Sequence, residues 1–345
     1  MMNVVLSCAP REKLGLYLSL GGACITLGPA FGPVISGLMC TLFGWRAVFV
    51  VPLVGGVVVA AAAAKLVRNV GERSNTTLDI LSVVLLAAGI TAFVYSVGEF
   101  STNVMAGIVA LFAAVVVLGL FAVRQLKLEH PVLNVRPMAS VRFWPACLLV
   151  VVSMMTTFSM SVLLPLYFEG AYGMTALVAG LLILPAIACN AVTSIVGGRV
   201  MDARGAWPLL PVGFALIAVG QTAISMTAAS MNIGVVVLLT VVVYAGVGLV
   251  LSPSQTAGLE TLPAAEHPHG TALLNMWNMI AASFGPSLFI GLLSSSAVAA
   301  GAAGVASDVA QAIGFAAAVR VAAVIAVVGF AVSLVYARRE SHMSH

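Results

Sequence analysis

Proton chemistry inside an apolar protein needs a titratable group whose pKa the surroundings can move toward neutrality. The chain has 11 acidic residues, and none falls at the centre of an apolar run. Three stand at the ends of such runs, Asp79 in "TTLDILSVV", Glu99 in "SVGEF" and Glu169 in "PLYFEGAYG", and of these Asp79 and Glu169 are the candidates for proton coupling. Asp79 opens its apolar run, where the positive end of a helix dipole alone favours an acid. Glu169 stands near the end of its run, where interfacial solvation is the plainer role. His267 and His269 in "EHPHG", and His342 and His345 at the tail, lack a surrounding ligand set, so no metal is implied. The five cysteines show no CxxC spacing and read as free thiols. There is no phosphate-cradling glycine loop and no nucleophile–base constellation, so the residues point to neither an ATP-driven pump nor an enzyme. No cofactor is implied.

A second group of residues does its work by being small or by lacking a donor. "LGPAFGPVISG" places Gly28, Gly32, Pro33 and Gly37 in an otherwise apolar stretch. In a helix interior proline costs about 3 kcal/mol and glycine about 1 kcal/mol. Gly28 and Gly32, four residues apart, share one helix face. Small residues let helices approach closely in lipid, and Pro33 removes a hydrogen bond and bends its helix. The stretch is therefore either a static kinked packing face or a moving contact. It has an echo: "FGPVISGL" near the start and "FGPSLFIGLL" around Gly285-Pro286, each after a segment rich in proline and charge.

The elements that hold these residues follow from composition. Charged residues make up 8% of the chain and hydrophobic residues 61%, against about 25% charged in a soluble domain. Such a chain cannot dress a water-facing surface. Its apolar runs are continuous and near membrane length, so the fold class is an all-α polytopic membrane protein rather than a β-barrel. Ten spans are expected, at about 14–40, 45–65, 78–98, 104–123, 143–167, 175–197, 207–229, 232–252, 270–294 and 312–336. All but two of the 15 Lys and Arg residues fall on one side if the segment before the first span is cytoplasmic. The exceptions are Arg46, outside, and Arg320, within the last span. Both termini are then cytoplasmic, with outer loops at 99–103 and 295–311. The modest net charge of +4 gives no reason to expect a nucleic-acid partner.

Several motifs, in this order, resemble those of the major facilitator superfamily, and in particular its fourteen-helix drug:proton antiporters. Gly28, Gly32, Pro33 and Gly37 match the antiporter motif G-x-x-x-G-P-x-x-G-G of the fifth helix, with Ser36 replacing one glycine. An earlier family glycine falls on Ser19. "GWRAVFVVPL" is similar to the opening of helix six. "GGRVMDARGAW" resembles the loop signature G-x-x-x-D-x-x-G through Gly198, Asp202 and Gly205, with Arg204 supplying positive charge; the basic residues that follow in the family are replaced by Ala206 and Trp207. The two extra spans at 78–98 and 104–123 match the fourteen-helix branch, and Asp79 matches its acid at the start of the seventh helix.

The resemblance implies a division of the chain. Residues 1–66 would be the last two helices of an N-terminal half and 67–123 two linker helices. Residues 124–142 would form a cytoplasmic linker and 143–345 a six-helix C-terminal half. Four helices would then be missing from the start. It implies export of small hydrophobic or cationic molecules against a proton gradient, by alternating access, in the cell membrane. Export of a specific metabolite or peptide is an alternative, as is a non-transporting remnant that binds a partner. Asp202 would form a charged clasp with Arg199 or Arg204 that stabilises one state; its plainer role is to cap the next helix. Met155, Phe158, Tyr244, Asn275 and Trp277 would line the cavity, methionine adapting to varied shapes and aromatics stacking on flat cations.

Overall fold

The computed structural model describes residues 32, 35–66, 79–99, 103–128, 131, 133–207, 209–263 and 266–341, with the helix backbone alone at 202–204 and 337–341. Gly28, Pro33 and most of the expected first span lie outside the described residues. All regular structure among those described is helical. A helical stretch at 35–43 (α1) is followed by a 3-10 turn, Trp45–Phe49, that runs into α2 (Val50–Leu66). Then come α3 (Ile80–Glu99), α4 (Val104–Lys127), α5 (Phe143–Tyr172), α6 (Ala176–Arg204) and α7 (Leu209–Thr227). The last three are α8 (Ile233–Glu260), α9 (His267–Ala302) and α10 (Ser307–Ser341). Among the described residues, 9 helices are long and apolar enough to cross a membrane, and they coincide with the last nine expected spans.

The boundaries differ where polar or small residues extend a helix beyond its apolar core. The segment expected as an outer loop at 295–311 is helical up to Ala302 and again from Ser307, leaving a turn of four residues, 303–306. "SSSAVAAGA" carries too little hydrophobicity to read as membrane span, yet its serines and alanines continue α9. Prolines do not stop the helices either: Pro165, Pro185, Pro253 and Pro286 all lie inside α5, α6, α8 and α9. Asn103 and Asn232 cap α4 and α8, each side chain accepting a bond from the N–H three residues on, at 3.2 and 3.3 Å.

The chain divides into two compact units, Met1–Thr76 with Gly173–Leu184, and Thr77–Tyr172 with Pro185–His345. In the first, α1 meets the start of α6. A Cβ placed at Gly37 would lie 2.5 Å from the Ala176 carbonyl oxygen and 3.0 Å from the Leu177 Cα. α2 buries none of its side chains.

The second unit is organised around α5, which packs against α8, α9 and α10, while α7 packs against α8 and α10. Tyr167, Phe143, Phe168, Phe214, Phe289 and Phe315 are its largest fully buried side chains. Tyr167 stacks on Phe315 with ring centroids 4.3 Å apart, and its hydroxyl donates to the Ala228 carbonyl at 2.8 Å, tying the end of α5 to α10 and to the end of α7. α3 and α4 form a hairpin, closed where Gly89 meets the Leu118 side chain. Phe93 of α3 stacks on Phe284 of α9 at 5.5 Å, so the hairpin docks on the six-helix set beside the Gly285-Pro286 step.

Candidate functional site

Within the second unit, α9 comes close to α5 at Gly285. A Cβ there would sit 2.8 Å from the Ser159 Oγ, 3.1 Å from the Met155 Cα and 3.3 Å from the Met155 carbonyl. A Cβ would crowd the Ser159 hydroxyl and press on the Met155 backbone more tightly than Cβ contacts ordinarily do, so glycine is what lets α9 lie this close to α5. Pro286, next to it, lacks the donor that would otherwise hold the helix straight. Met155 is thereby buried at the contact, while Phe158, three residues on, is half-buried. On α8, Tyr244 is buried and its hydroxyl points a 3.4 Å bond at the Thr157 carbonyl. Met155, Phe158 and Tyr244 therefore gather around one stretch of α5. Asn275 is exposed, and Trp277 packs lower on α9 against the cluster of Phe121, Phe143, Cys147 and Val150.

Polar atoms line this interior without partners. The Ser153 and Ser159 hydroxyls of α5, the Ser254 hydroxyl of α8, the Trp277 Nε1 and the Asn278 Oδ1 are buried and make no hydrogen bond among the described residues. Each orphaned group costs about 1–3 kcal/mol. Opposite, a Cβ at Gly248 of α8 would strike the Thr193 Oγ1 and lie 2.6 Å from the Asn190 carbonyl of α6. Asn278 stands on the span expected to line the cavity, beside Asn275 and Trp277, whereas Asn190 and Thr193 escaped sequence reasoning. The signal for Asn190 was the rarity of amides inside long apolar spans.

The acids take different environments. Asp79 accepts two bonds from the Arg124 side chain, Nε at 2.8 Å and Nη2 at 3.1 Å, and one from the Ser82 hydroxyl at 2.6 Å. Gln125, buried, donates to Ser82 at 2.6 Å and accepts from the Leu133 N–H at 3.0 Å. The Arg124 guanidinium, then the Ser82 hydroxyl, hold the Asp79 carboxyl down at about 2. A carboxylate held there stays ionised throughout the physiological range. Asp79 is thus suited to stapling the α3–α4 hairpin to the linker after it, and unsuited to carrying protons. The sequence reading does not pair Arg124 with Asp79; the antiparallel return of α4 brings the two to the same end of the hairpin. Glu169 is exposed at the end of α5, where it lines a cavity of about 440 Å³ with Gly170, Ser294 and Gln311.

At the α6–α7 turn, the glycine of the loop signature has a clear structural duty. Gly205 takes φ +73° and its N–H bonds the Met201 carbonyl at 2.8 Å, closing α6 with the left-handed residue that glycine adopts most readily. Asp202 and Arg204 lie in the last turn of α6; their side chains are outside the described set. That position removes Asp202 from the start of α7, where it would have capped a helix. Among the described residues, a Cβ at Gly198 would meet nothing within 4 Å, and the same holds at Gly32, in contrast to Gly37.

The sequence profile of the Major Facilitator Superfamily matches residues 1–286. The chain belongs to the major facilitator superfamily. Among curated members, it is 32% identical over 336 residues to the uncharacterized MFS-type transporter YcnB of Bacillus subtilis, covering 96% of this chain and 71% of that protein. It is 30% identical over 298 residues to the lincomycin resistance protein LmrB of Listeria monocytogenes, covering 86% of this chain and 63% of that protein. A multidrug resistance protein B homolog of Mycobacterium tuberculosis is 26% identical, with 83% of this chain matched to 54% of that protein. The chain thus spans between about half and three quarters of the length of these relatives. Membership of this superfamily makes the protein a multi-pass membrane transporter by family, and places the α5–α8–α9 interior, with its close glycine contacts and orphaned polar atoms, in a transport fold.

Proposed function

We propose that this member of the superfamily is a proton-driven exporter of hydrophobic or cationic drugs, of the fourteen-helix branch, working by alternating access in the cell membrane with both termini cytoplasmic. The observation that carries the reading is the 30% identity, along 86% of the chain, with a lincomycin resistance protein. Residues 1–66 then supply the end of one half, 67–123 the two linker helices, 124–142 the cytoplasmic linker and 143–345 the other half. Gly37 and Gly285 are close contacts across which helices shift as the cavity changes sides, and Gly28, Gly32 and Pro33 complete the first of these steps. Met155, Phe158 and Tyr244 offer an adaptable, aromatic wall to a flat cation, with Asn275 and Trp277 further along α9. Asp202 and Arg204 act as a charged clasp at the α6–α7 turn, between Gly198 and Gly205. Glu169 takes the proton-handling role, since Asp79 is committed to Arg124.

Cells stripped of their own exporters and expressing the full chain test this. They should tolerate several-fold more lincomycin and retain less ethidium, and a protonophore should erase the difference. Unchanged tolerance and accumulation, with the chain present in the membrane fraction, would contradict the proposal.

A further inference from the structure

The last helix carries a charge where a lipid-facing helix should have none. Arg320 is exposed, and so are Val324, Val327 and Ala331, which follow it at helical spacing along the same face. The span it interrupts, Ser307–Tyr336, is otherwise among the more apolar of the molecule. Its depth can be read from neighbouring contacts. Gln311 lies level with Gly170 at the Glu169 end of α5, since a Cβ at Gly170 would be 3.2 Å from the Gln311 Cγ. Arg320 is nine residues further along α10, about 13.5 Å at the helical rise. In a hydrocarbon core about 30 Å thick this is near the middle. Among the described residues the ion pair present is Asp79–Arg124, and Arg320 has no acidic partner.

An unpaired guanidinium at this depth is expensive, and the ways a protein lowers that cost are few: pairing, facing a water-filled cavity, or reaching toward the interface while the bilayer thins locally. The local sequence favours the last. Helical side chains lean toward the helix N-terminus, here the Glu169 end. The residues three and four positions before Arg320 are Ala317 and Ala316, too small to obstruct a long side chain lying along the helix. What meets the guanidinium on that path is the polar layer of the nearer leaflet, whose phosphates match its planar, bidentate donor set.

We propose that Arg320 is a phospholipid-binding site, holding the phosphate of a lipid drawn into the leaflet on the Glu169 side of α10. Net charge decides which lipid is held most tightly. Phosphatidylglycerol presents an uncompensated phosphate, whereas the choline of phosphatidylcholine cancels it. The inference is independent of the transport reading above, because it concerns a face of α10 and no transported molecule.

The test uses the full chain purified in a neutral maltoside detergent and supplied with phosphatidylglycerol or with phosphatidylcholine at equal mole fraction. Native mass spectrometry should find at least one more phosphatidylglycerol on the wild type than on Arg320→Leu. Phosphatidylglycerol should raise the thermal midpoint of the wild type by several degrees more than phosphatidylcholine does. Arg320→Leu should lose that increment and Arg320→Lys should keep part of it. Leucine suits a lipid-facing position, and Arg320→Gln gives the same reading should the leucine variant fail to fold. Equal lipid retention and equal midpoints in wild type and neutral variants would overturn the proposal. So would an inorganic phosphate control that reproduces the shift, or a wild-type dimer that becomes monomeric in Arg320→Leu, which would assign the face to a second copy of the chain.

Discussion

α2 and α5 are both apolar enough to span a membrane, yet they use that apolarity in opposite ways. Over its most hydrophobic stretch, the helix through Trp45–Leu66 has 0% of its residues buried, and Phe143–Tyr172 has 61%. Hydropathy does not separate them, since the exposed one is the more hydrophobic of the two. What separates them is small and polar residues meeting partners. Lipid tails are as apolar as leucine, so an apolar helix gains nothing by leaving lipid for protein unless packing or hydrogen bonding improves. α5 has Ser159 and the Met155 backbone under Gly285, Ala146 under Gly258, and Tyr167 bonded to Ala228. α2 has Gly55 and Gly56, but a Cβ at either would meet nothing within 4 Å. A glycine is therefore a contact only where another helix comes to it.

The largest expected effect is at Gly285. Leucine there has to displace the α5 backbone at Met155, and overpacking of this kind costs about 1–3 kcal/mol or more. Gly285→Leu should abolish drug efflux and lower the thermal midpoint of the purified chain, whereas Gly55→Leu should leave both close to wild type. Equal effects would break the contrast between the two helices. Next is Gly37, whose Cβ would collide with the Ala176 carbonyl. Gly37→Leu should impair efflux more than Gly32→Leu, and the reverse order, measured at equal membrane levels, would return the main contact of the motif to Gly32. Smaller still is the loss at Asp202→Asn, expected to reduce efflux several-fold with insertion intact. Unchanged drug resistance would leave Asp202 without a clasp role.

The smallest effect is the hairpin staple. Because the folded-state pKa of Asp79 lies at about 2, below the ordinary value near 4, the pairing contributes stability above that ordinary value. It is lost as pH falls from about 4 through the folded value of about 2. Thermal midpoints of the wild type should therefore fall over this window more than those of Asp79→Asn, measured in detergent from pH 7 downward. Parallel curves would mean that the ion pair contributes nothing.

The spans were legible because each residue of a transmembrane helix must be apolar enough for lipid, whatever it packs against. Nine of them could be drawn from runs of Val, Ala, Leu and Ile alone. The extension of α9 through "SSSAVAAGA" was not legible, because alanine and serine carry little hydropathy but do continue a helix. At the site, Gly285 and Gly37 were singled out by type, and Met155 and Tyr244 by chemistry. The distinction between Gly37 and Gly32 could not be drawn, since two glycines on one stretch differ only in what lies opposite. The pairing of Asp79 with Arg124 needed the hairpin: 45 residues separate them in sequence, and only the antiparallel return of α4 brings them together.

Under the proposed function, drug movement is coupled to protons through this bundle. Reconstituting the full chain in liposomes with a pH-sensitive dye inside tests it most directly. With an imposed proton gradient, adding a cationic drug such as ethidium should start proton flux, and Glu169→Gln should lose that drug-dependent flux while still binding the drug. Drug-independent flux, or no flux at all from chains shown to be inserted and to bind drug, would contradict it.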